Sequence, residues 1–184
     1  MRNPYHIGSR LPGAALVMVL VLAAPGCRRK QPIHVQQPDE GAPAMASIIH
    51  AADPKSEPQL VSGFYGVEQN AWRWTARQFS VVLQPPPFSA KQGARLEFDL
   101  TVPQVSIDKL KTLSLSASVS GSTLPPETYT QAGSFTFKRD LPAGLLSGEP
   151  VRVDFELDKA MPPAGGDLRE LGVVALRIAL VPKQ

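Results

Sequence analysis

The chain has 184 residues, 43% hydrophobic and 19% charged, with 19 Pro, 14 Gly, one Cys and three His. That length holds one ordinary domain with tails and leaves no room for a two-domain enzyme with a cofactor fold. Charged residues fall short of the roughly 25% of an average soluble domain and Pro is about double its usual share, which argues against a helical bundle. A single Cys excludes both an intramolecular disulfide framework and a Cys-based zinc site.

Residues 1–26 read as an export signal. Arg2 and Arg10 precede an apolar run from Gly13 to Ala24, which has the length of a signal h-region and is too short to span a bilayer, a task that needs about 20 apolar residues. The run ends in Ala24-Pro25-Gly26-Cys27. This step resembles the lipobox of bacterial lipoproteins, in which the Cys is lipidated and becomes the new first residue. The resemblance implies a membrane anchor through lipid on Cys27. Arg28 rather than Asp follows the Cys, which in such lipoproteins implies the outer membrane, facing the periplasm or the surface. Removing residues 1–26 takes away Arg2 and Arg10 and no acid, so the formal charge falls from +3 to +1. No basic stripe interleaved with aromatics remains, and a nucleic-acid partner is not expected.

Residues 27–59 carry Pro32, Pro38, Pro43, Pro54 and Pro58 and no aromatic side chain. Such composition cannot build a core and reads as a flexible Pro-rich tether. Ile48 and Ile49 within it fit a short helix or an edge strand. Of the three His, His6 falls in the signal and His34 and His50 in the tether, which leaves residues 60–184 without His or Cys. Ser-His-Asp and Cys-His machinery cannot be assembled there, and imidazole-bound metals have no ligands.

Within residues 60–184 the apolar residues alternate with period two, over Phe79–Leu83, Arg95–Val102, Leu113–Ser120, Ser134–Lys138 and Val151–Leu157. Alternation of this kind marks strands that cover a core on one side only. Val173–Val181 is more continuously apolar and reads as a central strand. Turn material separates the runs: Gln84–Pro87, Gly121–Thr123, Leu124–Pro126, Ala143–Gly144, Gly148 and Pro162–Gly166. The expected fold is all-β, a two-sheet antiparallel sandwich of jelly-roll type.

Two patches break the alternation. The first, Gly63–Ala76, holds Phe64, Tyr65, Glu68, Trp72, Arg73 and Trp74 and contains both Trp of the chain; the second, Asp158–Gly172, holds Asp167, Arg169 and Glu170. In a sandwich the two can meet at one end. Trp72 and Trp74, two residues apart, share a face and are expected to place at least one ring in the core, with Arg73 on the opposite side. An Arg held between carboxylates pins a loop, and Glu68 is the expected partner of the second patch.

The Gly-aromatic-Tyr-x-x-Glu step leading to Trp72-Arg73-Trp74-Thr75, taken with Asp167-x-Arg169-Glu170-Leu171-Gly172 just before the last strand, resembles small β-sandwich domains of bacterial envelope proteins. Those domains stand alone or are fused to glycosyltransferases and polysaccharide-assembly proteins. The likeness covers about residues 60–182 and implies a jelly-roll, carbohydrate-binding-like domain. The nine patch residues are then candidates for a ligand site or a structural pin, since aromatic planes stack on sugar rings while Arg and carboxylates meet ring hydroxyls. The expected function is that of a lipid-anchored, non-catalytic binding or assembly module, with envelope polysaccharide or another envelope protein as partner. Two further chemistries have an address in the patches: a glycosidase pair would be Glu68 with Glu170, and calcium would sit at Asp167 with the Gly165 and Gly166 carbonyls. Neither is expected, because nothing places a cleft beside the carboxylates and no dense Asp/Asn loop is present. No cofactor or metal is expected.

Overall fold

In the computed structural model, which describes residues 44–183, apolar alternation becomes alternation of burial. In strand β4 (Ala94–Val102), Ala94, Leu96, Phe98, Leu100 and Val102 are fully buried while Arg95, Glu97, Asp99 and Thr101 between them are half-exposed. Strands β5 (Leu113–Val119) and β8 (Val151–Leu157) repeat the pattern. The other strands are β1 (Ile48–His50), β2 (Leu60–Glu68), β3 (Trp72–Leu83), β6 (Ser122–Tyr129), β7 (Gly133–Leu141) and β9 (Val174–Pro182), with two short helices, α1 (Ser89–Gln92) and α2 (Gln104–Leu110), in connections. Among the described residues no helix is long and apolar enough to cross a membrane. The export signal, Cys27 and residues 28–43 of the expected tether lie outside the described residues.

All the strand pairings are antiparallel, and the ladder runs β6-β5-β8-β3-β9-β4-β7, with β2 added on β3 and β1 on β9. The long strand β3 makes two layers of this ladder. Its residues Gln78–Leu83 pair with β8, whereas Arg73 and Trp74 pair with β9. The ladder therefore folds over at β3, and the two halves face each other across a jelly-roll-like sandwich. The aromatic core records the closure. Phe79 of β3 stacks on Phe155 of β8 at 5.0 Å between ring centroids, and Phe98 of β4 meets both, at 5.7 Å and 5.2 Å. The continuously apolar Val173–Val181 run is a central strand, as its composition requires: β9 lies between β4 on one side and β1 with the start of β3 on the other.

Three segments differ from their sequence reading. The tether does not extend to residue 59, because residues 44–59 are built into the domain. Ile49 and Ala51 are buried in the core, β1 pairs with β9, and Gln59 is almost fully buried. The Gln59 side chain accepts from Ala46 N–H (2.9 Å) and donates to the carbonyls of Ala46 (3.0 Å) and Val82 (2.7 Å), tying the strap to the end of β3. One consequence is that the folded unit does contain a histidine, the exposed His50 on β1. Next, Leu124-Pro125-Pro126 is not a turn but part of β6. Pro has no N–H to give a ladder, and β6 accommodates two of them because it pairs on one side only, with β5. Last, the first aromatic patch is a hairpin of β2 and the start of β3, with β2 irregular in register against β3 and bulged at several points, which is why it shows no period of two.

Candidate functional site

The two sequence patches meet at the end of the sandwich where β3 passes from β8 to β9. The first is the β2–β3 hairpin. Its turn is closed by Ala71 N–H donating to the Glu68 carbonyl at 3.1 Å, with Gln69 and Asn70 both at positive φ (51° and 55°), the hand of a type I′ turn. The second, residues 158–173, leaves β8 and returns as a small hairpin of its own. Met161 and Leu171 exchange backbone hydrogen bonds, as do Ala164 and Asp167 around Gly165-Gly166, whose φ values of 63° and 90° again fit the primed turn. This hairpin joins β3 through Thr75, which donates from its backbone to Val173 and receives Gly172 N–H on its carbonyl and Val173 N–H on its hydroxyl. Gly172 is required by space: a Cβ there would lie 2.6 Å from both Leu157 Cδ1 and Thr75 Oγ1.

Arg169 locks the hairpins together. Its guanidinium is bidentate on Asp167 (Nε to Oδ1 3.0 Å, Nη2 to Oδ2 2.8 Å) and reaches Glu68 Oε1 with Nη1 at 2.9 Å. Its plane also stands 5.3 Å from the centre of the Tyr65 ring, within cation–π range. The Tyr65 hydroxyl donates to the Glu170 carbonyl at 2.9 Å, and Arg77 N–H approaches Glu170 Oε2 at 3.4 Å. Hydrogen bonds from the Arg169 guanidinium, and then from its backbone N–H, hold the Asp167 carboxyl down to about 2. Asp167, followed by Glu68, in turn pushes the Arg169 guanidinium further up. Glu68, Asp167 and Arg169 are thus a closed set of charges. The Asp167 carboxylate has both oxygens on the guanidinium, which makes it a poor donor to a divalent cation. Among the described residues no group of three His, Cys, Asp or Glu is arranged to hold a metal ion.

Arg73 is not part of this cluster. It is buried, and its Nε donates to the Ala51 carbonyl at 2.6 Å, Nη1 donates to the Tyr65 carbonyl at 3.0 Å, and Nη2 pairs with Glu57 on the 3-10 turn Pro54–Gln59. Arg73 therefore fastens the strap to β2 and β3. The inward face of β3 is the one carrying Arg73, Thr75, Phe79, Val81 and Leu83, all buried. The expectation that Trp72 or Trp74 closes the core is corrected accordingly. Both lie on the outward face, half-buried and edge-to-face with each other at 6.0 Å. Phe64 goes inward instead, packed on Phe79 at 5.4 Å.

The outward face of β3 continues from Trp72 and Trp74 through Ala76 to Gln78 and Ser80. Gln78 and Ser80 form part of a groove of about 350 Å³ over β2, β3, β8, β5 and β6. Hydroxyls, amide and charges line it: Ser62, Ser80, Ser116, Ser118, Thr123, Gln78, Arg152, Asp154 and Glu156. Sequence reading passed over these residues. They are the outward positions of regular strands, and a Ser or Glu at such a position carries no signal beyond solvation. Only the pairing of β3 with β8 and of β8 with β5 gathers them. Gln78 lies four positions beyond Trp74, about 13 Å along an extended strand, so the aromatic pair and the groove adjoin on one strand face.

No protein-family model matches the chain, and neither does any curated protein. Solved structures do resemble it at low identity. An acetyl xylan esterase, Est2A, from the rumen bacterium Butyrivibrio proteoclasticus aligns at TM-score 0.47 and 10% identity, over 76% of this chain and 33% of its own. The chain thus spans about a third of the esterase. The CBM36-1 domain of a multidomain xylanase from the hindgut metagenome of Trinervitermes trinervoides aligns at 0.40 and 10% identity, over 72% of this chain and 94% of that domain. A structure of CBM51-2 and INT domains of ZmpB from Clostridium perfringens aligns at 0.33 and 11% identity, over 74% and 28%. Likeness at these scores carries no argument about ligand or activity.

Proposed function

We propose that the chain is a lipid-anchored, non-catalytic binding module of the bacterial cell envelope, held to the outer membrane through Cys27, and that its ligand is carbohydrate. One observation carries this reading. The outward face of β3 presents a Trp pair at one end and the floor of a hydroxyl-lined groove at the other. Sugar rings offer an apolar face for aromatic planes and a rim of hydroxyls for polar groups, and the two requirements lie in line on one strand. The non-catalytic part rests on Glu68, one half of the carboxylate pair a glycosidase would use, being bound by Arg169. Titration calorimetry of the full chain against a panel of envelope polysaccharides tests the reading. Trp74→Ala is expected to weaken binding about tenfold, the effect of losing about 1.4 kcal/mol of ring packing, with the protein still folded at the temperature of the titration. Absence of binding across the panel, or a Trp74→Ala variant that binds as well as the wild type, overturns it.

A second reading, docking of another envelope protein on the sandwich end, is favoured by Leu168. Its neighbours Asp167 and Arg169 are tied down, yet Leu168 is 87% exposed just after the turn, and Val67 on the adjoining hairpin is 40% exposed. Crosslinking from residue 168 followed by mass spectrometry separates the two: a stoichiometric protein adduct supports docking.

A further inference from the structure

The groove has a charge balance of its own. Its lining contains one cation, Arg152, and two carboxylates, Asp154 and Glu156. Arg152 is already engaged: Nε donates to Asp154 Oδ1 at 2.7 Å and Nη2 to Ser80 Oγ at 3.0 Å. Ser80 in turn bonds Ser62 at 2.8 Å, so the guanidinium is knitted into the floor. Glu156 is different. One of its oxygens accepts from Gln78 Nε2 at 3.0 Å, and the other has no hydrogen-bond partner among the described residues. Phe79 and Phe155 border the groove from the core side and are only 2% exposed, so no ring is offered for stacking within it. Its selectivity is therefore polar and electrostatic.

We propose that this groove selects glycans bearing free amines over neutral and acidic ones, with Glu156 as the acceptor of the ligand ammonium. The inference rests on the carbohydrate reading above and adds the charge class of the sugar. A uronate or phosphate entering the groove meets Glu156 and Asp154, and the charge of the single guanidinium, though its side chain is 55% exposed, is already matched by Asp154. An ammonium meets an open carboxylate oxygen, and the serine hydroxyls, each able to donate and accept, serve the ring hydroxyls beside it. Because Glu156 is exposed to solvent, the preference is modest, about fivefold, the upper range for a solvent-screened ion pair.

The test uses the full chain and three probes of matched length: tetramers of galactosamine, of N-acetylgalactosamine and of galacturonic acid, titrated calorimetrically at pH 6. The galactosamine tetramer is expected to bind about fivefold tighter than the acetylated tetramer, with the galacturonate weakest, and the preference should shrink as salt is raised. Glu156→Gln should bring the amine and acetylated tetramers to equal affinity. Asp154→Asn frees the guanidinium and should move the preference toward galacturonate, an effect that loss of folding cannot mimic. Equal binding of the amine and acetylated probes, or tightest binding of galacturonate by the wild type, overturns this inference and leaves the carbohydrate reading standing. Failure of every glycan to bind overturns both.

Discussion

Gly172 shows how a single position can be decided by space alone. It closes the Arg169-Glu170-Leu171-Gly172 step where the loop meets Thr75, and a methyl group would strike Leu157, Thr75 and the Ala76 carbonyl within 2.7 Å. Gly172→Ala is expected to cost about 2–3 kcal/mol through overpacking, whereas Gly66→Ala, whose Cβ meets nothing within 4 Å, should cost far less. Urea denaturation midpoints of the two variants give the comparison, and equal midpoints refute it. Asp167 carries the pH dependence of the clamp. Its folded value of about 2 lies below the ordinary 3.8, so its contribution is complete above pH 4 and is lost as pH falls through 2. A carboxyl titration followed by NMR should place its midpoint near 2; a midpoint near 4 would mean that Arg169 does not hold it. Tyr129 offers the opposite case. Its hydroxyl is buried with no hydrogen-bond partner among the described residues, and burial, followed by the Glu127 carboxylate, pushes the phenol well above its ordinary range. Tyr129→Phe should leave stability unchanged or raise it by about 1 kcal/mol, while keeping the ring contact with Phe135 at 4.8 Å.

At the scale of elements, the strap of residues 44–59 is held to the sandwich by side-chain bonds to backbone as well as by Ile49 and Ala51 in the core. Gln59 and Arg73 between them serve the backbone groups of Ala46, Ala51, Tyr65 and Val82. Gln59→Ala leaves three such groups without their partner and is expected to cost about 2 kcal/mol, read as a lower urea midpoint with unchanged slope; an unchanged midpoint would show that the strap is not coupled to the rest. This coupling also explains what could be read in the sequence. Strands such as β4 and β8 were legible because one face is core and the other is water, so Phe98 and Asp99, or Phe155 and Glu156, report the period directly. The strap was not legible, because a Pro-rich, Gln-rich stretch has the composition of a tether whether or not its amides find carbonyls. β6 was misread for a related reason: Pro125 and Pro126 signal a turn everywhere except on a strand that pairs along one edge.

For the whole molecule, the same limit applies to the site. Arg169 with Glu68 was foreseeable from charge and motif, whereas the groove was not, since it exists only when outward Ser, Gln and Glu positions of different strands are brought side by side by the fold at β3. The side taken by the Trp pair was misjudged because period two says that Trp72 and Trp74 share a face but not which face is inward, and the strap supplies two of the partners that let Arg73 be buried, Ala51 and Glu57. Inclusion of the strap also changes how far the proposed anchor lets the domain stand from the bilayer. Residues 28–43 alone then separate Cys27 from the described domain, and a chain of that length reaches at most about 60 Å when fully extended, roughly half of what a tether running to residue 59 would allow. The anchor itself is tested by fractionation: Cys27→Ala, expressed in a bacterial host with its signal intact, should move the protein from the membrane pellet to the soluble fraction while its glycan affinity stays the same. Retention of the variant in the pellet with an unprocessed N-terminus would show instead that the apolar run from Gly13 to Ala24 holds the chain without lipid, and would remove Cys27 from the proposed function.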